Sequence, residues 1–231
     1  MVIGHGFVWA HMPKTGGDAT HALFALLPHL VAHADSRNHW KKHDPFSVRQ
    51  REANVDLTTA RKRILNIRRL PAWMWSYTQH QLLHYGHECD ADVLRAGRIA
   101  RHRLRPAGKQ FYYMVMPRLR PVRSLRRVLN KLFTQEADLR LPDDVLKRFE
   151  PETVAIWIRQ EHLTSDFIAA ARQFGTVSDG QEQTLHALGY VNRNPYNHDW
   201  NHVFAPKDLQ RIYAMNPLWA GIEHAVYGGT L

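Results

Sequence analysis

The chain has 231 residues, a formal net charge of +10 at pH 7 and one cysteine, Cys89, which excludes an internal disulfide. This length, with no internal repeat or low-complexity tract, predicts a single domain, and the charge excess favours an anionic ligand such as a phosphorylated cofactor or nucleic acid. No run of about 20 apolar residues and no signal-peptide pattern is present, so we expect a cytoplasmic protein without a transmembrane segment.

The first predicted elements are a strand, a glycine turn and a helix in direct succession. The apolar run Phe7 to Met12 predicts the strand, and P-K-T-G-G at Pro13 to Gly17 predicts the turn. Apolar residues at three- and four-residue steps from Ala19 to Leu27 predict a helix with one face toward a core. The first turn of that helix favours an anion, to which Lys14 adds a mobile charge. The alternative is an ordinary turn with an exposed lysine.

The sequence H-M-P-K-T-G-G after a strand resembles the phosphosulfate loop of sulfotransferases that use 3′-phosphoadenosine-5′-phosphosulfate (PAPS). The general nucleotide-binding template G-x-x-x-x-G-K-[ST] is not met, which disfavours an ordinary nucleotide triphosphatase. The sulfotransferase family carries a second motif, in which a strand ends in arginine and a serine follows eight residues later at a helix start. Arg68 and Ser76 have this spacing, and Arg69 adds charge beside them. An arginine and a hydroxyl group suit a 3′-phosphate, although a solvated arginine and a surface serine are the alternative.

The glycine loop departs from the family pattern at the two positions after the glycines. Family members carry hydroxyl residues there, whereas this chain has Asp18 and Ala19. A carboxylate at this position repels the cofactor unless Asp18 turns away and caps the helix, which leaves Thr20 or backbone amides to hold the 5′-phosphate. The proline of the second motif also comes one place late, as Leu70-Pro71.

The segment between the two cofactor motifs offers four candidate general bases, which are His39, His43, Asp44 and Glu52. We favour His43, because related bacterial enzymes often carry a Lys-His pair here, which Lys42-His43 resembles, and histidine titrates near neutral pH. Since the chain has 16 histidines, a structural or exposed role is the alternative.

A helix that begins near Ser76 is expected to carry a second group of polar residues, which are His80, His84, His87, Glu88 and Cys89. His80 and His84 share a helix face, so a zinc site is geometrically possible. The spacing matches no standard closed zinc set, and we predict no metal.

A basic helical insertion is predicted around residues 88–150, with arginines concentrated between Arg95 and Arg127. An apolar stripe from Val122 to Leu132 predicts a helix there. This helix is either a solvated basic helix, or part of an insertion that covers the acceptor or recruits an acidic partner. Aromatic residues near the arginines, Phe111, Tyr112 and Tyr113, could stack on nucleic-acid bases. No recognised nucleic-acid module accompanies them, so nucleic-acid binding is the disfavoured reading.

The last third of the chain carries a strand, a loop and two helices. V-A-I-W-I-R-Q-E-H-L-T-S-D-F at Val154 to Phe167 resembles the later strand and turn of the family, with a structural role for Arg159, Glu161, Leu163, Asp166 and Phe167. Arg193 lies in a stretch that resembles a loop closing over the cofactor, where a surface arginine is the alternative. Prolines at helix starts predict helices from Pro206 to Met215 and from Pro217 toward Tyr227.

The resemblance implies a three-layer α/β fold, with a central, mainly parallel sheet flanked by helices, of the P-loop-like sulfotransferase type. It also implies transfer of a sulfuryl group from PAPS to a hydroxyl acceptor on a glycan, lipid or secondary metabolite, with 3′,5′-adenosine bisphosphate as product and no metal required. Lys14 would stabilise the leaving phosphate and His43 would act as base. The implied cofactor contacts are Pro13, Lys14, Thr15, Gly16, Gly17, Asp18, Ala19, Thr20, Arg68, Ser76 and Arg193.

The sequence does not select one acceptor. An anionic or carrier-bound hydroxyl compound fits the pattern, and so does an amine. The alternative function is that of a binding protein: a sulfotransferase-like protein that has lost sulfuryl-transfer activity and binds an anionic partner, such as nucleic acid. Asp18 and Ala19 motivate this alternative.

Overall fold

The structure is a computed structural model, which describes residues 1–36, 40–53, 61–84, 136–189 and 204–230. Its strands are β1 (Val2–Gly4), β2 (Phe7–Ala10), β3 (Val31–Ala34), β4 (Lys62–Ile67) and β5 (Val154–Arg159). Its helices are α1 (Gly17–Ala25), α2 (Phe46–Ala53), α3 (Leu70–His84), α4 (Glu136–Lys147), α5 (Leu163–Ala171), α6 (Asp179–Ala187), α7 (Pro206–Met215) and α8 (Pro217–Tyr227). Short 3-10 helices cover Pro28–Leu30, Trp40–His43, Pro151–Thr153 and Gln160–His162.

The five strands form one mixed sheet in the order β3-β1-β2-β4-β5. Strands β2, β4 and β5 pair in parallel, whereas β1 pairs antiparallel with both β2 and β3. Strand β1 therefore runs against the other four strands. The α/β class predicted from the sequence is confirmed, and the parallel part of the sheet is the part that carries the predicted motifs.

The central strands are buried along their length, as parallel strands covered on both faces require. All four residues of β2 are fully buried, and so are the last four residues of β4. Asn66 is the polar member of this run, and its side chain has no exposed surface. A buried amide inside an apolar strand has to be hydrogen-bonded, which directs attention to its partners.

Helices contact both faces of the sheet. On one face, Trp9, Ile64 and Ile158 belong to a core that α1 and α5 complete with Leu23, Phe24, Phe167 and Ile168. Alternate residues of a strand point to opposite faces, so Arg63 lies on the other face. There its guanidinium lies over the ring of Phe46, the first residue of α2, at 5.0 Å from the ring centroid.

The chain divides into two compact units, each described here by itself. The first contains Met1–Arg68, Asp144–Asn192 and Gly221–Leu231, and with them the whole sheet. The second contains Arg69–Asp143 and Arg193–Ala220. The single domain expected from the length stays a prediction. Within the described parts of the chain, no helix is long and apolar enough to cross a membrane.

The described part of the second unit is built around aromatic packing and one buried polar network. Trp73 of α3 lies 5.2 Å from the ring of Trp219. Asp143 accepts hydrogen bonds from the backbone N–H groups of Leu218 and Trp219, at 3.0 and 2.8 Å. We call Asp143 and Asn216, with the backbone groups they bind, the helix junction, because it joins α4, α7 and α8.

The helix junction is completed by the amide of Asn216. Its oxygen accepts from the N–H of Asp143 at 3.1 Å, and its nitrogen donates to the carbonyls of Leu139 and Ile212 at 2.7 and 2.8 Å. Asn216 has no exposed surface, and Asp143 is 4% exposed. The amide therefore meets partners at both of its ends, as a buried polar group requires.

The helix predictions have mixed outcomes. The helices predicted from Pro206 and Pro217 are confirmed with the predicted ends. The helix predicted to begin near Ser76 was placed wrongly, because α3 begins at Leu70. Its second residue is Pro71, and proline suits the first helical turn, where the backbone N–H has no helical partner. Of the predicted basic insertion, residues 88–135 lie outside the described residues, and α4 follows from Glu136.

Candidate functional site

The carboxyl ends of β2, β4 and β5 lie at one edge of the sheet, because these strands are parallel neighbours. The chain leaves β2 through α1 toward β3 on one side, whereas β4 and β5 lie on the other side. Connections that part in this way form a topological switch point, which is where open α/β sheets bind ligands. His11 follows β2, Arg68 follows β4 and Gln160 follows β5 at this edge.

The glycine loop between β2 and α1 has two residues in the left-handed region. Gly16, the N-cap of α1, has φ 86°, and Lys14 has φ 66°. A left-handed lysine is energetically unfavourable, and such residues persist where the surrounding structure imposes them, often at functional sites. The amides of Ala19 and Thr20 donate to the carbonyl of Gly16, both at 3.0 Å. The N–H groups of Gly16 and Gly17 come earlier and have no acceptor inside the helix.

The two glycines are needed for different reasons. Gly16 has the positive φ that favours glycine, and the three atoms nearest to an added Cβ all belong to the flexible side chain of Gln160, the first at 2.9 Å. Gly17 has no positive φ, but an added Cβ would lie 1.9 Å from Cδ2 of His11. The backbone at Gly17 thus lies directly against the His11 ring.

A chain of hydrogen bonds fixes this loop to the sheet. Nε1 of Trp9 donates to Oδ1 of Asn66 at 2.6 Å, and Nδ2 of Asn66 donates to the hydroxyl of Thr20 at 2.7 Å. Thr20 donates in turn to the carbonyl of Gly16 at 3.3 Å. We call these four residues the loop network. The Thr20 hydroxyl, predicted as a phosphate contact, already donates its proton inside the protein.

The hydroxyl of Thr15 is also hydrogen-bonded inside the protein. It donates to the carbonyl of Met12 at 2.8 Å, and the residue is fully buried. The hydroxyl proton of Thr15 is therefore used inside the protein, as that of Thr20 is, and is not available to the predicted anion. The loop therefore presents main-chain groups and Lys14, and uses its two threonine hydroxyls to hold its own shape.

Lys14 is surrounded by other charges. Burial lowers the pKa of its ammonium to about 8; the Asp18 carboxylate opposes this shift, and the cations of Lys42 and Arg68 add to it. Three cations and one carboxylate of the first unit therefore influence each other at the loop. Such a concentration of positive charge is stabilised by a bound anion.

Asp18 does not cap α1, contrary to the reading that it turns away to do so. The N-cap is Gly16, no side chain caps the helix, and Asp18 is its second residue. The carboxylate instead forms an ion pair with Lys42, with Nζ and Oδ1 at 2.9 Å. A negative charge near a helix N-terminus is favourable in itself, and here it also binds a lysine from the following segment.

His43 lies beside the loop at the end of the 3-10 helix Trp40–His43. Its Nδ1 is 3.0 Å from the carbonyl oxygen of His11, and the two rings lie 4.5 Å apart, edge to face. A carbonyl only accepts, so we assign the proton to Nδ1 and the free electron pair to Nε2. Partial burial lowers the pKa of His43; the His11 carbonyl opposes this shift and Lys42 adds to it. A neutral imidazole with a free Nε2 is the form that a general base requires.

The two residues of the second predicted motif lie in different units. Arg68 follows β4 in the first unit, and Ser76 lies in the second turn of α3 in the second unit. Ser76 is 5% exposed, so it is not a surface serine. Their joint contact with a 3′-phosphate stays a prediction.

The third predicted motif forms a compact connection after β5. The carboxylate of Asp166 accepts two hydrogen bonds from the Arg159 guanidinium, both at 2.8 Å, and one from the Arg159 N–H at 2.9 Å. Phe167 is buried in the core of the first unit, and Glu161 accepts a hydrogen bond from the hydroxyl of Tyr227. These contacts fix the start of α5 to the end of β5, which agrees with the structural role predicted.

Several predicted residues fall where the structure does not describe them. Arg193, His39, His87, Glu88, Cys89 and the three aromatic residues from Phe111 lie outside the described residues. Glu52, His80 and His84 lie in described helices, but their side chains do not belong to the described part. The zinc alternative and the cofactor contact of Arg193 therefore stay predictions.

The sequence reasoning missed two residues at this edge. Asn66 was not singled out, although an asparagine inside the apolar strand I-L-N-I was a usable signal, since a buried amide needs partners. Gln160 lies against Gly16, and its Oε1 is buried without a hydrogen bond from any described residue. No signal in the sequence pointed to Gln160.

Comparisons with protein-family models, curated proteins and solved structures found no match for this chain.

Proposed function

We propose that the protein is a PAPS-dependent sulfotransferase, with a P-loop-like sulfotransferase fold, which transfers a sulfuryl group to a hydroxyl acceptor. The observation that carries the proposal is Lys14, held with φ 66° in a glycine loop at the switch point of the parallel strands. A lysine, backbone amides and a helix N-terminus converging at such an edge suit a phosphate ester.

The charges around the loop support a ligand with more than one negative charge. Lys14, Lys42 and Arg68 face a single carboxylate, Asp18, among the groups that shift the pKa of Lys14. A carboxylate at position 18 repels an anionic cofactor. The ion pair of Asp18 with Lys42 reduces this repulsion, because the lysine charge offsets the carboxylate charge. These residues fit a phosphosulfate group.

The loop and His43 have different roles in the proposed reaction. When bound, PAPS supplies a sulfuryl group whose bond to the 5′-phosphate oxygen breaks as the bond from sulfur to the acceptor oxygen forms. His43 takes the acceptor's hydroxyl proton at Nε2, since its Nδ1 is engaged by the His11 carbonyl. Lys14 and the loop amides keep positive charge where the leaving phosphate gains negative charge.

The rival function is anion binding without transfer. It is favoured by Asp18 and Ala19, which replace the hydroxyl residues of the family pattern, and by the net charge of +10. A protein of this kind would bind a phosphorylated ligand or nucleic acid and leave PAPS intact.

Calorimetry with 3′,5′-adenosine bisphosphate tests the proposal. We expect the protein to bind it with a micromolar dissociation constant, and Lys14→Ala to weaken binding about tenfold or more, because a charge-assisted contact is lost. Lys62→Ala is the matched control, since Lys62 begins β4 at the opposite end of the strand and contacts Gln173. No heat of binding at high micromolar ligand would refute the cofactor assignment.

A transfer assay separates the two functions. Sulfate-labelled PAPS is incubated with the protein and a panel of glycan, lipid and small hydroxyl acceptors. Labelled product supports the sulfotransferase. Normal binding of adenosine bisphosphate without transfer to any member of the panel favours the rival.

A further inference from the structure

We infer that Asp18 is a positioning residue, which holds Lys42 beside the glycine loop so that Lys42 acts as a second cation for the bound anion. The identity of that anion as PAPS rests on the proposed function. The role of the pair as an anion contact does not, because it can be tested with a simpler polyanion.

The first observation is the geometry of the ion pair. Nζ of Lys42 lies 2.9 Å from Oδ1 of Asp18, and the two side chains are 23% and 25% exposed. Among the described residues, Asp18 is the only hydrogen-bond partner of the Lys42 ammonium. A lysine ammonium has three N–H donors, so two remain for a ligand at the first turn of α1.

The second observation is that the segment carrying Lys42 is attached to the loop twice. Lys42 binds Asp18 after the glycines, and its neighbour His43 binds the carbonyl of His11 before them. Both contacts span the glycine loop, one from each side. A change at Asp18 is therefore expected to reach the candidate base as well as the second cation.

Asp18 stands where the sulfotransferase pattern has a hydroxyl residue, and its carboxylate can affect anion binding in two ways. If Asp18 only opposed the anion, removing its charge would improve binding. If Asp18 positions Lys42, removing its charge releases the lysine and weakens binding. The two readings thus predict opposite signs for the same substitution.

The test is calorimetry with 3′,5′-adenosine bisphosphate and with inorganic pyrophosphate on four proteins: wild type, Asp18→Asn, Lys42→Met and the double variant. We expect Lys42→Met to weaken binding about tenfold or more and Asp18→Asn about fivefold. The double variant should bind no more weakly than Lys42→Met, because the carboxylate acts through the lysine. Tighter binding by Asp18→Asn, or additive losses in the double variant, would overturn the inference.

Glu182→Gln is the matched control for charge. It removes one carboxylate from an ion pair with Arg172 on the first unit and changes the net charge by the same amount. We expect its affinity for both ligands to equal that of the wild type. Added positive charge alone would favour an anion, so a loss as large as that of Asp18→Asn would mean that the effect does not depend on the position of the carboxylate beside the loop, and it would overturn the inference.

Two further outcomes separate this inference from the proposed function. Binding of pyrophosphate but not of adenosine bisphosphate, with the expected order of variants, would refute PAPS and keep the role of the pair. Binding of neither ligand by the wild type would refute both. A readout without ligand is the imidazole spectrum of His43 by NMR, where Asp18→Asn should replace a single Nδ1-protonated form by a mixture of tautomers. An unchanged spectrum would contradict the attachment of this segment through Asp18.

Discussion

The loop network and the helix junction are both buried polar networks, but they end differently. In the helix junction, Asn216 and Asp143 bind backbone groups on every side, and the network closes on itself. The loop network runs from Trp9 through Asn66 and Thr20 to the carbonyl of Gly16, and there it stops. The N–H groups of Gly16 and Gly17 have no acceptor inside the helix, and the side chains that shift the pKa of Lys14 carry excess positive charge.

This difference indicates what each network does. A closed network satisfies its members and stabilises the contact between helices, at about 1 kcal/mol net for each hydrogen bond. In the proposed function, the open network holds donors and cations in place for the bound anion. Stability and ligand affinity should therefore respond differently to substitutions in the two regions.

The largest effect is expected on turnover, from a substitution of the candidate general base His43. His43→Ala should lower the turnover of labelled PAPS by about 10³-fold, because a positioned general base contributes about 10²- to 10⁴-fold. Affinity for 3′,5′-adenosine bisphosphate should stay within about twofold, since the proposed role of His43 is to take a proton from the acceptor and not to bind the nucleotide. His33→Ala on β3, where the His33 side chain is 60% exposed, is the matched control. Retained turnover would assign the proton to another group, such as Asp44 or His39.

The next effect concerns the closed network. Asn216→Ala should lower the free energy of unfolding by about 3 kcal/mol, because it leaves the N–H of Asp143 and two carbonyls buried without partners. Urea denaturation measures this loss. Gln210→Ala, at an exposed position of α7, should cost less than about 0.5 kcal/mol. A change in anion affinity of the folded Asn216→Ala protein would contradict the separate roles of the two networks.

Asn66→Ala should lower both the free energy of unfolding and the affinity for the anion, each by a smaller amount than the substitutions above. We expect a loss of about 2 kcal/mol in the free energy of unfolding, since Trp9 and Thr20 lose their shared partner. Affinity for adenosine bisphosphate should also fall, by about fivefold, because Thr20 no longer holds the carbonyl of Gly16 firmly. Asn66→Ala and Asn216→Ala thus form a pair, in which only the former weakens binding. Equal affinity for both would mean that the loop keeps its shape without this network.

The smallest effect is a pH dependence of binding. Burial lowers the pKa of Lys14 to about 8, so the ammonium is present below this pH and is lost as the pH rises through it. The second ionisation of the ligand phosphates is largely complete above pH 7, so affinity should fall about twofold between pH 7 and 8 and about tenfold in all between pH 7 and 9. Lys14→Arg, which stays charged, should abolish the slope. A flat profile for the wild type would contradict a charged contact from Lys14.

Much of the fold could be predicted from local signals. The strand beginning at Phe7 and the helices beginning at Pro206 and Pro217 follow from apolar runs and from proline at helix starts. Strand β1, Val2–Gly4, was not predicted, because three residues are too few to show a period. The start of α3 was misplaced because the apolar run from Leu70 to Trp75 is buried throughout and shows no helical stripe.

The candidate site was less predictable, because its parts meet through contacts between distant residues. Lys14 and the two glycines stand together in the sequence, and they could be singled out by their order alone. The ion pair of Asp18 with Lys42 joins residues 24 positions apart, and nothing local indicates it. The orientation of His43 is set by the carbonyl of His11, which no side-chain pattern reveals.

The close approach of His11 to Gly17 restricts how this loop can change over evolutionary time. Since a Cβ at position 17 would overlap the His11 ring at 1.9 Å, any other residue at 17 requires a smaller residue at 11 beforehand. Gly16 has no such partner, because a flexible glutamine lies against it and asparagine also adopts left-handed backbone. Drift at position 16 is thus accessible in single steps, whereas drift at position 17 has to follow a substitution at position 11. Related sequences should therefore show positions 11 and 17 varying together.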